Sequence, residues 1–169
     1  MSANLDEQLS EHFTLGELLV TEHRTLLAEN RSPPLAVVVA LRALARTTLE
    51  PIRQNFGAAL IVHSGYRCRA VNEAVGGSIT SQHMKGEAAD FHIVGVSLRD
   101  VFDWIRIESS LPYGQVILEP GTRPAWIHVS LGEPYRVRGR CRQALLWTPG
   151  PDGGSYASAA ALPPEPVVA

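Results

Sequence analysis

Two ionisable side chains stand inside apolar, strand-forming runs: Asp90 within Ala88-Ala89-Asp90-Phe91, and His128 within Trp126-Ile127-His128-Val129. A carboxylate buried without a cation or a set of donors is costly, so a fold that buries these runs must also bring Asp90 a partner. His83 lies seven residues before Asp90, in a polar stretch with Gly86 between them. Two imidazoles and a carboxylate are ligand types of a catalytic zinc. Three protein ligands leave the fourth position of a tetrahedral ion open to water, whose pKa the metal can lower to roughly 7. Taken singly, each residue is more simply read as a satisfied core or surface group. Their combination, with an antiparallel sheet able to set the two strands side by side, is what points to a metal site.

Around these runs the pattern alternates between helix and strand signals. Thr14 with Glu17 three residues on, followed by Leu15, Leu18, Leu19, Leu26 and Leu27, predicts a capped helix from Thr14 to Glu29. Ser32-Pro33 predicts a second start, with a helix running to about Phe56 that Pro51 should kink or end early. Ala59 to Ser64 and Ala88 to Val94 read as strands, with a short helix over Ala70 to Val75 and a surface loop over Ser78 to Gly86. Ser97, with Asp100 at N3, predicts a helix to about Ser109. Gln115–Glu119 and Trp126–Leu131 read as a hairpin joined by Pro120-Gly121-Thr122-Arg123-Pro124-Ala125, and a last strand is expected over Cys141 to Trp147. Residues 1–148 thus form one domain. From Pro149 to Ala169 the chain is Gly, Pro, Ala and Ser with almost no large apolar residue, which predicts a disordered tail.

Composition excludes several function classes. With 15 Lys+Arg against 17 Asp+Glu, the chain lacks the broad basic surface that dominates nucleic-acid binding. Cys68 and Cys141 show no Cys-x-x-Cys spacing and read as free thiols. The polar, acidic start Met1-Ser2-Ala3-Asn4-Leu5-Asp6-Glu7 has no signal-peptide pattern, and no apolar run is long enough for a membrane span. Synthesis in the cytoplasm is expected.

Four motifs in order carry a resemblance: Ser64-Gly65-Tyr66-Arg67, Val71 to Gly77, the S-x-H-x-x-G-x-A-x-D segment Ser81 to Asp90, and Trp126-Ile127-His128-Val129-Ser130. Together they resemble the zinc D-alanyl-D-alanine carboxypeptidase and endolysin metallopeptidases, over roughly His12 to Leu131. His12 to Leu18 also looks like the small bacterial and phage branch of that family. The resemblance implies a hedgehog-type α+β fold, with a small antiparallel sheet and helices packed around zinc (Zn2+) held by His83, Asp90 and His128. It also implies cleavage of peptide bonds in peptidoglycan stems, with Arg67 anchoring substrate and Ser81 donating to a substrate carbonyl or stabilising its own turn.

One position departs from the family pattern. Many members carry Glu or Asp three residues before the last histidine, where this chain has Ala125. Glu119 is the first candidate for the proton shuttle, because a hairpin would return it to the neighbourhood of His128. Its direction depends on strand register, since a slip of one residue inverts the strand. His92 is the second candidate, sharing a strand face with Asp90 under the two-residue alternation. His63 reads as a core or supporting residue, and His12 and His23 as solvated.

The expected function is a zinc peptidase acting on bacterial cell wall, as a carboxypeptidase or an endopeptidase. Its expected partner is the peptidoglycan stem peptide, reached in the wall or periplasm through a phage lysis system or a virion. The alternative is a non-catalytic zinc-binding component of a phage virion, in contact with other phage structural proteins, and Ala125 keeps that alternative open.

Overall fold

In the computed structural model, which describes residues 3–121, 124–132, 142–151 and 153–159, the strands are β1 (Leu60–Ser64), β2 (Ala88–Ile93), β3 (Tyr113–Glu119), β4 (Trp126–Leu131), β5 (Gln143–Thr148) and β6 (Ser155–Ser158). They make one sheet in the order β1-β2-β4-β3-β5-β6. The fold is α+β, as expected, but the sheet is mixed rather than antiparallel, because β5 pairs with β3 in parallel. β4 is antiparallel to β3, so a chain that leaves β4 and returns on the far side of β3 must run parallel to it.

Alternation gives the sheet two unlike faces. Ala89, Phe91, Ile93, Val116, Leu118, Ile127 and Val129 point to one face and are buried in a single core with Leu41, Leu44, Val101, Phe102 and Ile105 from the helices. Removing each such large side chain from water stabilises the fold by roughly 1.5–3 kcal/mol. The other face carries Asp90, His128, Ile117 and Glu119 and is left for the site.

The helices are α1 (Leu15–Leu18), α2 (Leu27–Asn30), α3 (Leu35–Leu44), α4 (Glu50–Phe56), α5 (Arg69–Ala74) and α6 (Leu98–Asp103). The expected capping box is present, with Thr14 and Glu17 satisfying each other's backbone N–H. The single helix expected over Thr14 to Glu29 is not. The Leu18 carbonyl accepts from Tyr66 N–H at 2.8 Å and the Leu19 carbonyl from Asn30 Nδ2 at 3.0 Å, so tertiary partners take the acceptors that the next helical turn would use. Pro51 does not end its helix either. A wide π-turn over Ala45–Leu49 precedes it, and the chain continues as α4 with Pro51 in its first turn. Ser97 caps α6 through Asp100 N–H, as the spacing predicts.

The stretch expected as disordered tail contains β6, which pairs antiparallel with β5 from Thr148↔Ser155 to Leu145↔Ser158. The compositional argument concerned burial, and β6 is indeed exposed along its length. It is held by ladder hydrogen bonds, which composition does not reveal. Cys68 is a buried free thiol, whereas Cys141 lies outside the described residues. Among the described residues no helix is long and apolar enough to cross a membrane.

Candidate metal centre

β2 and β4 pair so that Asp90 sits directly opposite His128. His83 arrives from a 3₁₀ turn over Gln82–Lys85, just before β2. All three side chains are buried. Asp90 Oδ1 lies 2.8 Å from His128 Nδ1 and 3.2 Å from His83 Nε2, and the two ring nitrogens are 3.2 Å apart. Two ligands of a tetrahedral zinc with bonds of about 2.0–2.1 Å stand roughly 3.3 Å apart. The cluster could therefore hold one metal ion.

Neighbouring groups orient both rings. His83 Nδ1–H donates to the Gly65 carbonyl at 2.7 Å, which turns the Nε2 lone pair toward the cluster. His128 Nε2–H donates to Gln82 Oε1 at 3.1 Å, leaving its Nδ1 lone pair on the same side. Gln82 is fixed in turn, because its Nε2 donates to Ser130 Oγ at 3.0 Å. Burial lowers the His83 pKa and so favours the neutral ring, although Asp90 opposes it. Asp90 is held ionised, well below the usual carboxylate range, because His83 and His128 outweigh the penalty of its burial. With both rings neutral and their other nitrogens donating to Gly65 and Gln82, His83 Nε2, His128 Nδ1 and Asp90 Oδ1 converge on one point, a set of ligand atoms suited to a cation.

Gly65 makes this geometry available. A Cβ at that position would stand 2.4 Å from the Leu18 carbonyl oxygen, so only glycine lets the chain pass there and still present its own carbonyl to His83. The next residues are held by Asn30, whose Nδ2 donates to the Leu19 and Tyr66 carbonyls while its Oδ1 accepts from Cys68 N–H at 2.7 Å. Arg67 is thereby fixed between two clamped neighbours. Its Nε donates to Ser64 Oγ at 2.8 Å, and a terminal nitrogen pairs with Asp90 Oδ2.

The cluster opens into a cleft of about 1010 Å³, and Arg67, Ser81 and Glu119 all line it. The register that the sequence left open is settled by Glu119↔Trp126 and Ile117↔His128, which put Glu119 on the ligand face. Burial raises its pKa, Asp90 adds to the rise, and His128 and Arg67 oppose it. His92 shares the Asp90 face but is not in the cleft lining. Its Nδ1 lies 2.7 Å from His63 Nε2, and the two rings stack at 4.9 Å. His12 is exposed, as expected, and also pairs with Glu50 at 3.0 Å.

A family model described as Peptidase M15 matches residues 11–130. The chain belongs to the peptidase M15 family. M15 peptidases depend on zinc in general, and the donor set formed by His83, Asp90 and His128 fits that ion. No curated protein matches the chain. The matched segment ends at Ser130, so β5 and β6 lie beyond the part shared with the M15 model. Sequence reasoning missed Gln82 as a ring-orienting group, because its role depends on a 3₁₀ turn that spacing does not show. It also missed Trp147, at the end of the strand expected over Cys141 to Trp147, and Tyr156, from a stretch whose composition suggested no structure; both line the cleft.

Proposed function

We propose that this M15 peptidase is zinc-dependent and hydrolyses peptide bonds in bacterial peptidoglycan stems or crosslinks, as a D-Ala-D-Ala carboxypeptidase or endopeptidase. The observation that carries the reading is the convergence of His83 Nε2, His128 Nδ1 and Asp90 Oδ1 at the floor of a cleft that also presents a carboxylate and a guanidinium. When bound there, zinc supplies Lewis acidity and a lowered pKa for water.

The remaining chemistry belongs to the chain's own residues. Glu119 accepts a proton from the attacking water and delivers it to the leaving amine nitrogen as the C–N bond breaks. A raised pKa makes it the stronger base for the first of these transfers. Arg67 has five N–H donors, more than its contacts with Ser64 and Asp90 use, so it can also hold a substrate carboxylate or carbonyl. Ser81 stands on the cleft wall, where its hydroxyl can donate to the peptide.

The test is mass spectrometry of purified muropeptides incubated with the zinc-loaded protein. Release of terminal D-alanine or separation of crosslinked stems is expected, lost on chelation and restored by zinc. Unaltered muropeptides alongside stoichiometric zinc would refute catalysis and favour a zinc-binding structural or wall-binding role.

A further inference from the structure

The β5–β6 hairpin lies outside the segment matched by the family, yet it supplies one wall of the cleft through Gln143, Leu145, Trp147 and Tyr156. Trp147 and Tyr156 are directly paired across the two strands. The backbone is shaped to seat this pair. Gly154 adopts φ +99°, and a Cβ there would lie 2.7 Å from the Trp147 ring, while one at Gly121 would lie 2.9 Å from it. Glycine at both positions lets the indole lie against bare backbone, which fixes the strand that Tyr156 pairs with.

Tyr156 is 59% exposed, the mark of a side chain that faces an open cleft rather than the core. Its hydroxyl makes no hydrogen bond among the described residues. Partial burial of the phenol and the negative charges of Glu119 and Asp90 raise its pKa, with Arg67 opposing, so the group stays protonated. The cleft therefore carries an O–H donor on the wall it shares with Arg67, Glu119 and His128. Charge developing on a carbonyl oxygen is best stabilised by such a donor, already aimed before reaction.

We propose that Tyr156 is a catalytic residue of this chain, donating a hydrogen bond from its phenol to the carbonyl oxygen of the peptide bond being cut, and that the β5–β6 hairpin carries it there. This rests on the zinc peptidase reading above. The phenol keeps its proton throughout, and Glu119 handles the proton of the attacking water.

The experiment compares wild type with Tyr156→Phe, which keeps the ring and its pairing with Trp147. Expected are unchanged zinc content and thermal midpoint, a kcat lower by roughly 100-fold, and a KM altered little. Affinity for a phosphinic dipeptide, which mimics the tetrahedral state, should fall by a similar factor, while affinity for the uncut peptide holds. A Tyr156→Phe variant with wild-type kcat and wild-type phosphinate affinity overturns the assignment while leaving the peptidase reading intact. A wild-type protein inert toward every muropeptide overturns both.

Discussion

Glu119 stands opposite Trp126 across the β3–β4 ladder, and that pairing puts its carboxylate on the face that carries His128. On the proposed reading, Glu119 takes the place of the carboxylate absent at Ala125. Glu119→Gln should therefore bind zinc normally and lose roughly 10²–10⁴-fold in kcat, the usual worth of a positioned acid–base group. Metal analysis alongside steady-state rates on muropeptides checks this. Full turnover in the variant would place the base elsewhere.

Gln82 holds the His128 ring through Nε2 and is not among the three candidate ligands. Gln82→Ala should weaken zinc binding by about 10–100-fold while all three ligands remain, as expected when a group that orients a ligand is removed. Competition against a zinc chelator of known affinity measures the change, and an unchanged affinity would show that β4 alone sets the ring.

Filling the donor cluster should stabilise the fold, because the unfolded chain offers no assembled site. At a free zinc concentration about 100 times Kd, the gain is about 2.7 kcal/mol. Differential scanning calorimetry with and without chelator should show a higher midpoint for the zinc form, and His128→Ala should abolish the difference.

Glu50 is nearly buried and receives His12 N–H at 2.6 Å as well as the His12 ring at 3.0 Å. Burial alone would raise its pKa, yet the bonds from His12 prevail and hold it below the ordinary 4.5. A depressed carboxylate pKa adds stability that is fully present above the unfolded value and lost as pH falls through the folded one. Wild type should accordingly exceed Glu50→Gln in urea stability at neutral pH, and the gap should close on acidification below about 4.5. A gap independent of pH would sink the assignment.

Asn30 satisfies three backbone groups at once. Asn30→Ala should cost about 2–4 kcal/mol, since buried backbone groups lose their partners. Because the clamp flanks Arg67, peptide KM should also rise. Urea denaturation together with kinetics separates the two effects.

Much of the site was legible because its chemistry contradicts its surroundings. Asp90 and His128 interrupt apolar alternation, and strand pairing then had few ways to satisfy them. The strands were legible for the same reason, since period two survives in β2 and β4 whatever the tertiary context. Elements decided by distant partners were not legible. α1 stops because Tyr66 and Asn30 occupy its next acceptors, and neither lies within the helical window. β6 forms because β5 offers an open edge, although the side chains of β6 argue against burial. Glu119 fell between these cases: the residue could be named, but its direction depended on register.

Gly65 ties the beginning of the chain to its chemistry. Leu18 presses against it from one side, and its carbonyl aims His83 on the other. A fragment trimmed to begin at β1 would keep all three ligands and still lose the brace that points one of them, so the amino-terminal arm works as an integral strut of the centre.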